Sequence, residues 1–274
     1  MIVSGVEIAP LRTLLAQHYL SPMRQGSSLP ALVEADDGLG SVSTRYVVKL
    51  AGAGQGPKAL IAELVAGEIA RALGLPMPEL VFVEFSSAFG RYEPDYEIDQ
   101  LLKASVGLNL GMRYLDHALT FNPLVEPGPN PFLASCIVWF DAFMTNVDRT
   151  PRNVNLLIWQ KALWLIDHGA TLYFHHSWRD YMAKSNTPFT MIKDHTLLPF
   201  ATELGEADEI LRQMINEDLI HATIDQIPDA WLCLDTIFET PAANRQAYKD
   251  YLDSRLQASP IFLEEALHAH AACV

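Results

Sequence analysis

The sequence predicts an α+β fold in which a small β-rich lobe is followed by a larger, mainly helical lobe. Short runs rich in Val, Leu and aromatic residues are concentrated in the first half of the chain, and such runs are typical of strands. Apolar residues at helical spacing dominate the second half, which indicates helices. We expect the first lobe to comprise residues 1–118 and the second residues 119–274, with a Pro/Gly-rich break at residues 126–131.

The first lobe should contain a hairpin, one long helix and two further strands. Residues 29–35 and 43–50 are β-type runs joined by the turn sequence Asp-Asp-Gly-Leu-Gly, which predicts an antiparallel hairpin. Residues 57–79 have apolar positions at helical spacing that end at a glycine followed by two prolines. Residues 80–85 and 108–115 are the remaining strand candidates.

The second lobe should consist of helices and one apolar hairpin. Residues 130–146 begin at an Asn-Pro pair and are apolar nearly all round, so we expect a buried helix there. Residues 206–227 and 241–258 have the one-sided apolar pattern of amphipathic helices. Residues 153–159 and 162–167 are apolar runs separated by Gln-Lys, which predicts a short hairpin.

The composition excludes several classes of protein. Half of the 274 residues are hydrophobic, enough for a full core, but the longest apolar run is too short to span a bilayer. The first residues lack the basic start and apolar block of a signal peptide, so the cytoplasm is the expected location. A formal net charge of −14 disfavours direct binding to nucleic-acid phosphates. Three cysteines without a CxxC spacing argue against a disulfide framework or a zinc site.

The strongest chemical signal surrounds the hairpin of the second lobe. Asp148 and Asn153 precede its first strand and Asp167 ends its second, so all three side chains should meet at one end. Two carboxylates and an amide oxygen are the hard ligands that Mg²⁺ takes alongside phosphate oxygens. Kinases use an Asp to accept the hydroxyl proton, an Asn five residues later for one metal, and a later Asp for both metals. The alternative is that these residues only cap turns and close the hairpin; their combined spacing favours the functional interpretation.

The first lobe supplies a possible ion pair. Glu63 should lie on a helix face made of small apolar residues, where an unpaired carboxylate is costly. Lys49 closes the β-run Tyr-Val-Val-Lys and is the natural cation for it, and kinase sites require such a pair. Residues 24–28 are a candidate phosphate-binding turn, although their single glycine is also typical of an ordinary turn.

Together these motifs resemble the HipA-like kinase family, and the similarity is greatest to its short stand-alone members. The segments that carry the resemblance are GSSLPALVEADDG…YVVKL, ELVAGEIARALGLPMPE, NVDRTPRNVNLL, LWLIDHG and IDQIPDAWL. They span most of the chain, from about residue 25 to about residue 256. The D-R-x-x-x-N…I-D-H-G arrangement is the most specific part, and it is also similar to the phosphoinositide-kinase pattern.

The resemblance implies a two-lobed, protein-kinase-like fold that uses ATP and Mg²⁺. It implies that Asp148 is the catalytic base. Lys49 becomes the contact to the ATP phosphates, and Glu63 becomes the partner of that lysine. Asn153 and Asp167 become the metal ligands.

The resemblance also implies further nucleotide contacts and a type of acceptor. Ser27 and Ser28 match the phosphate loop of the family, and Met112, Tyr114 and Leu115 match the strand that meets the adenine. The implied reaction transfers the γ-phosphoryl group of ATP to a hydroxyl, on Ser or Thr of a protein. The alternatives are a nucleotide-binding pseudokinase or regulatory module, and a lipid or small-molecule kinase. The intact Lys, Glu, Asp, Asn, Asp set favours catalysis over the pseudokinase.

Overall fold

The computed structural model describes residues 9–23, 29–40, 42–91 and 93–273. Its strands are β1 (Thr13–Pro22), β2 (Ala31–Asp36), β3 (Thr44–Lys49), β4 (Leu80–Phe85), β5 (Gly107–Arg113), β6 (Leu119–Thr120), β7 (Leu156–Trp159) and β8 (Ala162–Leu165). Its helices are α1 (Gly56–Ala72), α2 (Tyr96–Ala104), α3 (Pro131–Phe143), α4 (Tyr181–Ser185), α5 (Leu204–Met214), α6 (Glu217–Asp225), α7 (Asp229–Leu232), α8 (Pro241–Gln257) and α9 (Ser259–Cys273).

Strands β1 to β5 form a closed barrel in the order β1-β2-β3-β5-β4. β1 runs parallel to β4, and the other neighbouring strands are antiparallel, which confirms the predicted β2–β3 hairpin. Val33, Val48 and Val83 are fully buried in the core of the barrel, because alternate side chains of a strand face the same side. α2 adds Ile98 and Leu102 to this core.

Helix α1, which follows β3 in the chain, packs against both the barrel and the helical part of the structure. A proline occupies its first turn, where the missing N–H costs nothing. The helix ends before Gly74, whose φ of 72° lies in the left-handed region that glycine tolerates. α1 packs against β4 and β5 on the barrel side and against α6 and α7 on the other. Both sides of the helix are therefore covered, and Glu63 in its middle is only 2% exposed.

The helical part is built around α3, which is buried along its length as predicted. Asn130 caps its start by accepting a hydrogen bond from the N–H of Leu133 (2.9 Å), and the helix packs against α5 and α9. The amphipathic residues 206–227 form two helices, α5 and α6, because Asn216 begins a new helix by capping Leu219 (2.8 Å). Among the described residues, no helix is long and apolar enough to cross a membrane.

The predicted hairpin of the second half is present as β7 and β8, which pair antiparallel. Gln160 and Lys161 form its two-residue turn with φ values of 50° and 65°, the pattern of a turn that matches strand twist. β6 pairs with β7 and completes a small sheet. The open end of this hairpin carries the loop from α3 and the segment that follows β8.

Candidate active site

The loop between α3 and β7 holds Asp148 in a set of amide donors. Its carboxylate Oδ2 accepts a hydrogen bond from Asn153 Nδ2 (2.6 Å), and Asn155 Nδ2 lies 3.4 Å from the same oxygen. Its backbone N–H donates to Asn146 Oδ1 (3.1 Å). The loop therefore fixes Asp148 and Asn153 in contact. Because Asn153 uses its amide nitrogen here, its amide oxygen is left for another ligand.

Asp167 follows β8 at the same end of the hairpin. The N–H of Ile166 donates to the carbonyl of Asn155 (3.2 Å), which joins the segment of Asp167 to the loop of Asp148. Asp167 has a φ of 55°, an uncommon conformation for a residue other than glycine that often marks functional sites. Its side chain is 42% exposed, with Oδ1 2.5 Å from Lys49 Nζ.

Lys49 lies between two carboxylates. Its ammonium group is 2.7 Å from Glu63 Oε2, so the ion pair expected from the sequence is present, and Asp167 approaches from the other side. Burial alone would lower the pKa of Lys49, but the charges of Glu63 and Asp167 outweigh it and raise the pKa. Burial raises the pKa of Glu63, and Lys49 opposes this rise. The arrangement keeps a positive charge at the carboxyl end of β3.

Gly169 allows this close approach. A Cβ atom at this position would lie 3.0 Å from Lys49 Nζ and 3.6 Å from Asp167 Oδ1. A side chain here would therefore compete for the space in which the ammonium group meets the carboxylate. This gives a physical reason for glycine in the Asp-His-Gly sequence.

A buried polar cluster lies behind the loop, and our sequence reasoning did not find it. Asp141 of α3 accepts hydrogen bonds from Arg149 Nε (2.5 Å), His195 Nε2 (2.9 Å) and Asn146 Nδ2 (2.9 Å). Burial would raise the pKa of Asp141, but Arg149 and His195 outweigh it and hold the pKa well below its ordinary value. The only sequence signal was that Asp141 interrupts an apolar run.

His168 extends this cluster to the ion pair of Lys49. Its Nε2 lies 2.9 Å from Arg149 Nη2, and its backbone N–H donates to Glu63 Oε2 (2.7 Å). Burial and the neighbouring charge of Arg149 lower the pKa of His168 to about 3, so the ring is neutral at physiological pH.

The residues expected near the adenine lie at the carboxyl end of β5. Met112 pairs with Val47 of β3, two residues before Lys49. The N–H of Tyr114 donates to the carbonyl of Arg45 (3.0 Å), and Leu115 is buried. Met112 therefore lies in the last part of β5, the strand that neighbours β3, and Tyr114 and Leu115 follow it directly. Residues 27 and 28, the two serines expected in the phosphate loop, lie outside the described residues.

The protein oxygens of the site can supply only part of the ligand shell of a magnesium ion. Within the described part of the chain, no three His, Cys, Asp or Glu residues form a group that could hold a metal ion. Asn153 and Asp167 offer an amide oxygen and a carboxylate, which are ligands that Mg²⁺ accepts. Mg²⁺ commonly takes one or two such protein ligands and completes its shell with water and substrate phosphates. The residues therefore fit a magnesium ion that arrives with a phosphate ligand.

Comparisons with known proteins show a family and a fold to which the chain is similar. The model of the family described as HipA-like kinase matches residues 17–257. The crystal structure of the Helicobacter pylori proinflammatory kinase CtkA is similar with a TM-score of 0.52 at 12% sequence identity, covering 93% of this chain and 95% of that one. This likeness shows a kinase-like fold. No curated protein sequence matches the chain.

Proposed function

The chain belongs to the HipA-like kinase family, and from this premise we propose that it transfers the γ-phosphoryl group of ATP to a hydroxyl, on Ser or Thr of a protein. One observation carries the proposal. The ammonium group of Lys49 lies between Glu63 (2.7 Å) and Asp167 (2.5 Å), beside the loop that holds Asp148 against Asn153. Phosphoryl transfer depends on such positioning and on electrostatic stabilisation of the phosphates.

We assign the phosphate contact to Lys49. Its charge offsets the negative phosphate oxygens, and Glu63 holds it through a contact that is almost entirely shielded from solvent. Shielding strengthens the interaction because little water competes for either group. The side chain of Asp167 is more exposed than those of Lys49 and Glu63. We therefore expect a ligand to approach Lys49 from the side of Asp167.

We assign the metal to Asn153 and Asp167 and the proton to Asp148. Asn153 and Asp167 would hold the Mg²⁺ ion, which would supply positive charge against the phosphate groups. Asn153 contributes its amide oxygen and Asp167 its carboxylate. Asp148 accepts the proton of the attacking hydroxyl at a carboxylate oxygen, and the amide groups of Asn153 and Asn155 hold that carboxylate in one orientation.

We place the adenine against Met112, Tyr114 and Leu115, and the phosphate turn at Ser27 and Ser28. The support for the first group is that β5 lies beside β3, which carries the phosphate contact at its end. The support for the serines is their position in the sequence just before β2.

We divide the chain into a small lobe of residues 1–118 and a larger lobe of residues 119–274, with the nucleotide between them. The support for this division is that β6 begins at Leu119 and pairs with β7, so the chain leaves the barrel and enters the hairpin sheet at this point. The fold class supports the same division, because kinases bind ATP between two lobes.

Calorimetry with ATP, in the presence and absence of Mg²⁺, tests the nucleotide and metal assignments. We expect binding that depends on Mg²⁺ in the wild-type protein and that is weakened in Asp167→Asn. Asp194→Asn, at an exposed aspartate, is the matched control and should bind like the wild type. Equal affinity with and without Mg²⁺ would remove the metal assignment and favour a pseudokinase.

Incubation with γ-labelled ATP and Mg²⁺ tests the transfer itself. We expect label on Ser or Thr of the protein itself or of proteins in a host lysate, located by mass spectrometry. Label found only in the lipid or small-molecule fraction would move the acceptor to those classes. Absence of transfer to every fraction, with binding intact, would indicate a nucleotide-binding module without catalysis.

A further inference from the structure

His168 lies next to Asp167 in the chain, but its side chain is turned into the core. The residue is 0% exposed, whereas the side chain of Asp167 is 42% exposed. Through its ring, His168 contacts Arg149, and through its backbone it contacts Glu63. This buried residue thus contacts both the loop of Asp148, through Arg149, and the Lys49–Glu63 pair.

The direction of the hydrogen bond to Arg149 follows from chemistry. A guanidinium group has only donors, so Nε2 of His168 must accept the hydrogen bond from Arg149 Nη2 (2.9 Å). The proton of the neutral ring is therefore on Nδ1. This nitrogen lies 3.9 Å from Glu63 Oε1, and neither atom has a hydrogen-bond partner among the described residues. At this distance the N–H and the carboxylate oxygen form no hydrogen bond, but their opposite partial charges attract each other.

Arg149 is itself held from several sides. Its Nε donates to Asp141 (2.5 Å), and its Nη1 donates to the carbonyls of Asn155 and Ile166. These partners belong to α3, to the loop and to the segment after β8. These hydrogen bonds hold the guanidinium group of Arg149 in one position. His168, which is bonded to the remaining amino group Nη2, is therefore held in position as well.

We propose that His168 is a positioning residue that couples the loop of Asp148 to the Lys49–Glu63 pair. The coupling runs from Arg149, the neighbour of Asp148, through the imidazole ring to the carboxylate of Glu63. It holds the proton acceptor and the phosphate-binding lysine in one relative position. This inference rests on the proposed phosphotransferase activity.

Three substitutions at this position separate coupling from core filling. His168→Gln can place a carbonyl oxygen where Nε2 accepts from Arg149. His168→Asn reaches only the place of Nδ1, and His168→Leu has no polar atom in the side chain. The backbone N–H to Glu63 remains in all three variants, so the ion pair with Lys49 keeps one of its supports.

The test measures single-turnover transfer from γ-labelled ATP, ATP–Mg²⁺ affinity and thermal unfolding for the wild type and the three variants. We expect the Leu and Asn variants to lower the transfer rate roughly 10-fold or more, the scale of one hydrogen bond to a charged group. We expect their nucleotide affinity to change much less than the rate. The Gln variant should recover most of the rate. If the Leu variant does not fold, the comparison of Gln with Asn decides alone.

Two results would overturn the coupling. Variants that transfer at the wild-type rate per folded molecule would show that His168 only fills the core. A Gln variant as slow as the Asn variant would show that the contact to Arg149 is not the cause. A wild type with neither Mg²⁺-dependent binding nor transfer would instead overturn the proposed function, and the coupling with it.

Discussion

In two segments of the candidate site, a partly exposed aspartate is followed directly by a buried residue: Arg149 follows Asp148, and His168 follows Asp167. Asp148 and Asp167 are partly exposed, the side chain of Asp167 by 42%, whereas Arg149 and His168 are at most 1% exposed. The two aspartates keep part of their surface exposed to solvent, while the two buried residues bond to protein groups on several sides. The difference teaches that buried polar neighbours position the two aspartates to which we assign chemical roles, as precise sites commonly require.

Arg149→Met tests the buried side with the largest expected effect. The change leaves the carboxylate of Asp141 buried without its cation, and breaking a buried pair in this way costs about 3–5 kcal/mol. Urea denaturation measures the free energy of unfolding. Arg152→Met, at an exposed arginine of the same loop, should change it by less than about 0.5 kcal/mol. Equal losses in the two variants would contradict the distinction between the two environments.

The Lys49–Glu63 pair joins the two environments and should show energetic coupling. A double-mutant cycle with Lys49→Met and Glu63→Gln isolates this term, because it removes each partner alone and then both. We expect a coupling of about 0.5–3 kcal/mol in unfolding free energy. The exposed pair of Lys103 and Asp99 (2.6 Å), taken through the same cycle, should give about 0.3–0.5 kcal/mol. Additive losses at Lys49 and Glu63 would mean that the pair contributes nothing.

His175 lies outside the candidate site and tests whether burial there also lowers the pKa of a histidine. It is 0% exposed, its Nδ1 lies 3.0 Å from the hydroxyl of Tyr248, and burial lowers its pKa well below the ordinary value. The unfolded chain takes up a proton below about pH 6.5 while the folded state stays neutral, so stability falls as the pH falls from there. The loss approaches about 1.4 kcal/mol for each pH unit.

Unfolding free energies at pH 7.5 and pH 5.0 check this sign. His175→Asn, which keeps a polar atom near Tyr248, should lose this share of the pH dependence, and His268→Gln at an exposed position should keep it. A wild type and a His175→Asn variant with the same difference between the two pH values would show that His175 is not buried as a neutral ring.

Candidate residues on the exposed side could be proposed from the sequence and those on the buried side could not, for a physical reason. Metal and phosphate chemistry demands particular residue types at short spacing, and Asp148 and Asn153 carry that signal within one loop. Arg149 and His168 are held by contacts between residues distant in sequence, such as His168 with Glu63 and Arg149 with His168. Such contacts exist only after folding, so no local pattern shows them.

The fold shows the same limit. The β2–β3 and β7–β8 hairpins were predicted because turn residues and apolar runs are local signals. β1 was missed because its residues are mostly exposed or half-buried and lack a clear alternation. α2 was missed although Asp95 caps its start by accepting from the N–H of Glu97 (3.0 Å). α2 has only nine residues, and a cap followed by so short a periodic segment is a weak signal.

The single-turnover transfer rate of the Asp148→Asn variant tests most directly the central claim that Asp148 is the catalytic base. The substitution keeps the size of the side chain but removes the proton acceptor and its charge. The account predicts nearly unchanged ATP–Mg²⁺ affinity and a single-turnover transfer rate lower by roughly 10²-fold or more, the scale of general-base catalysis. If Asp148 only shapes the loop, thermal melts should instead show lost stability, and the folded fraction should turn over normally. An Asp148→Asn protein with a normal transfer rate would contradict the assignment of this loop as the catalytic loop of a kinase.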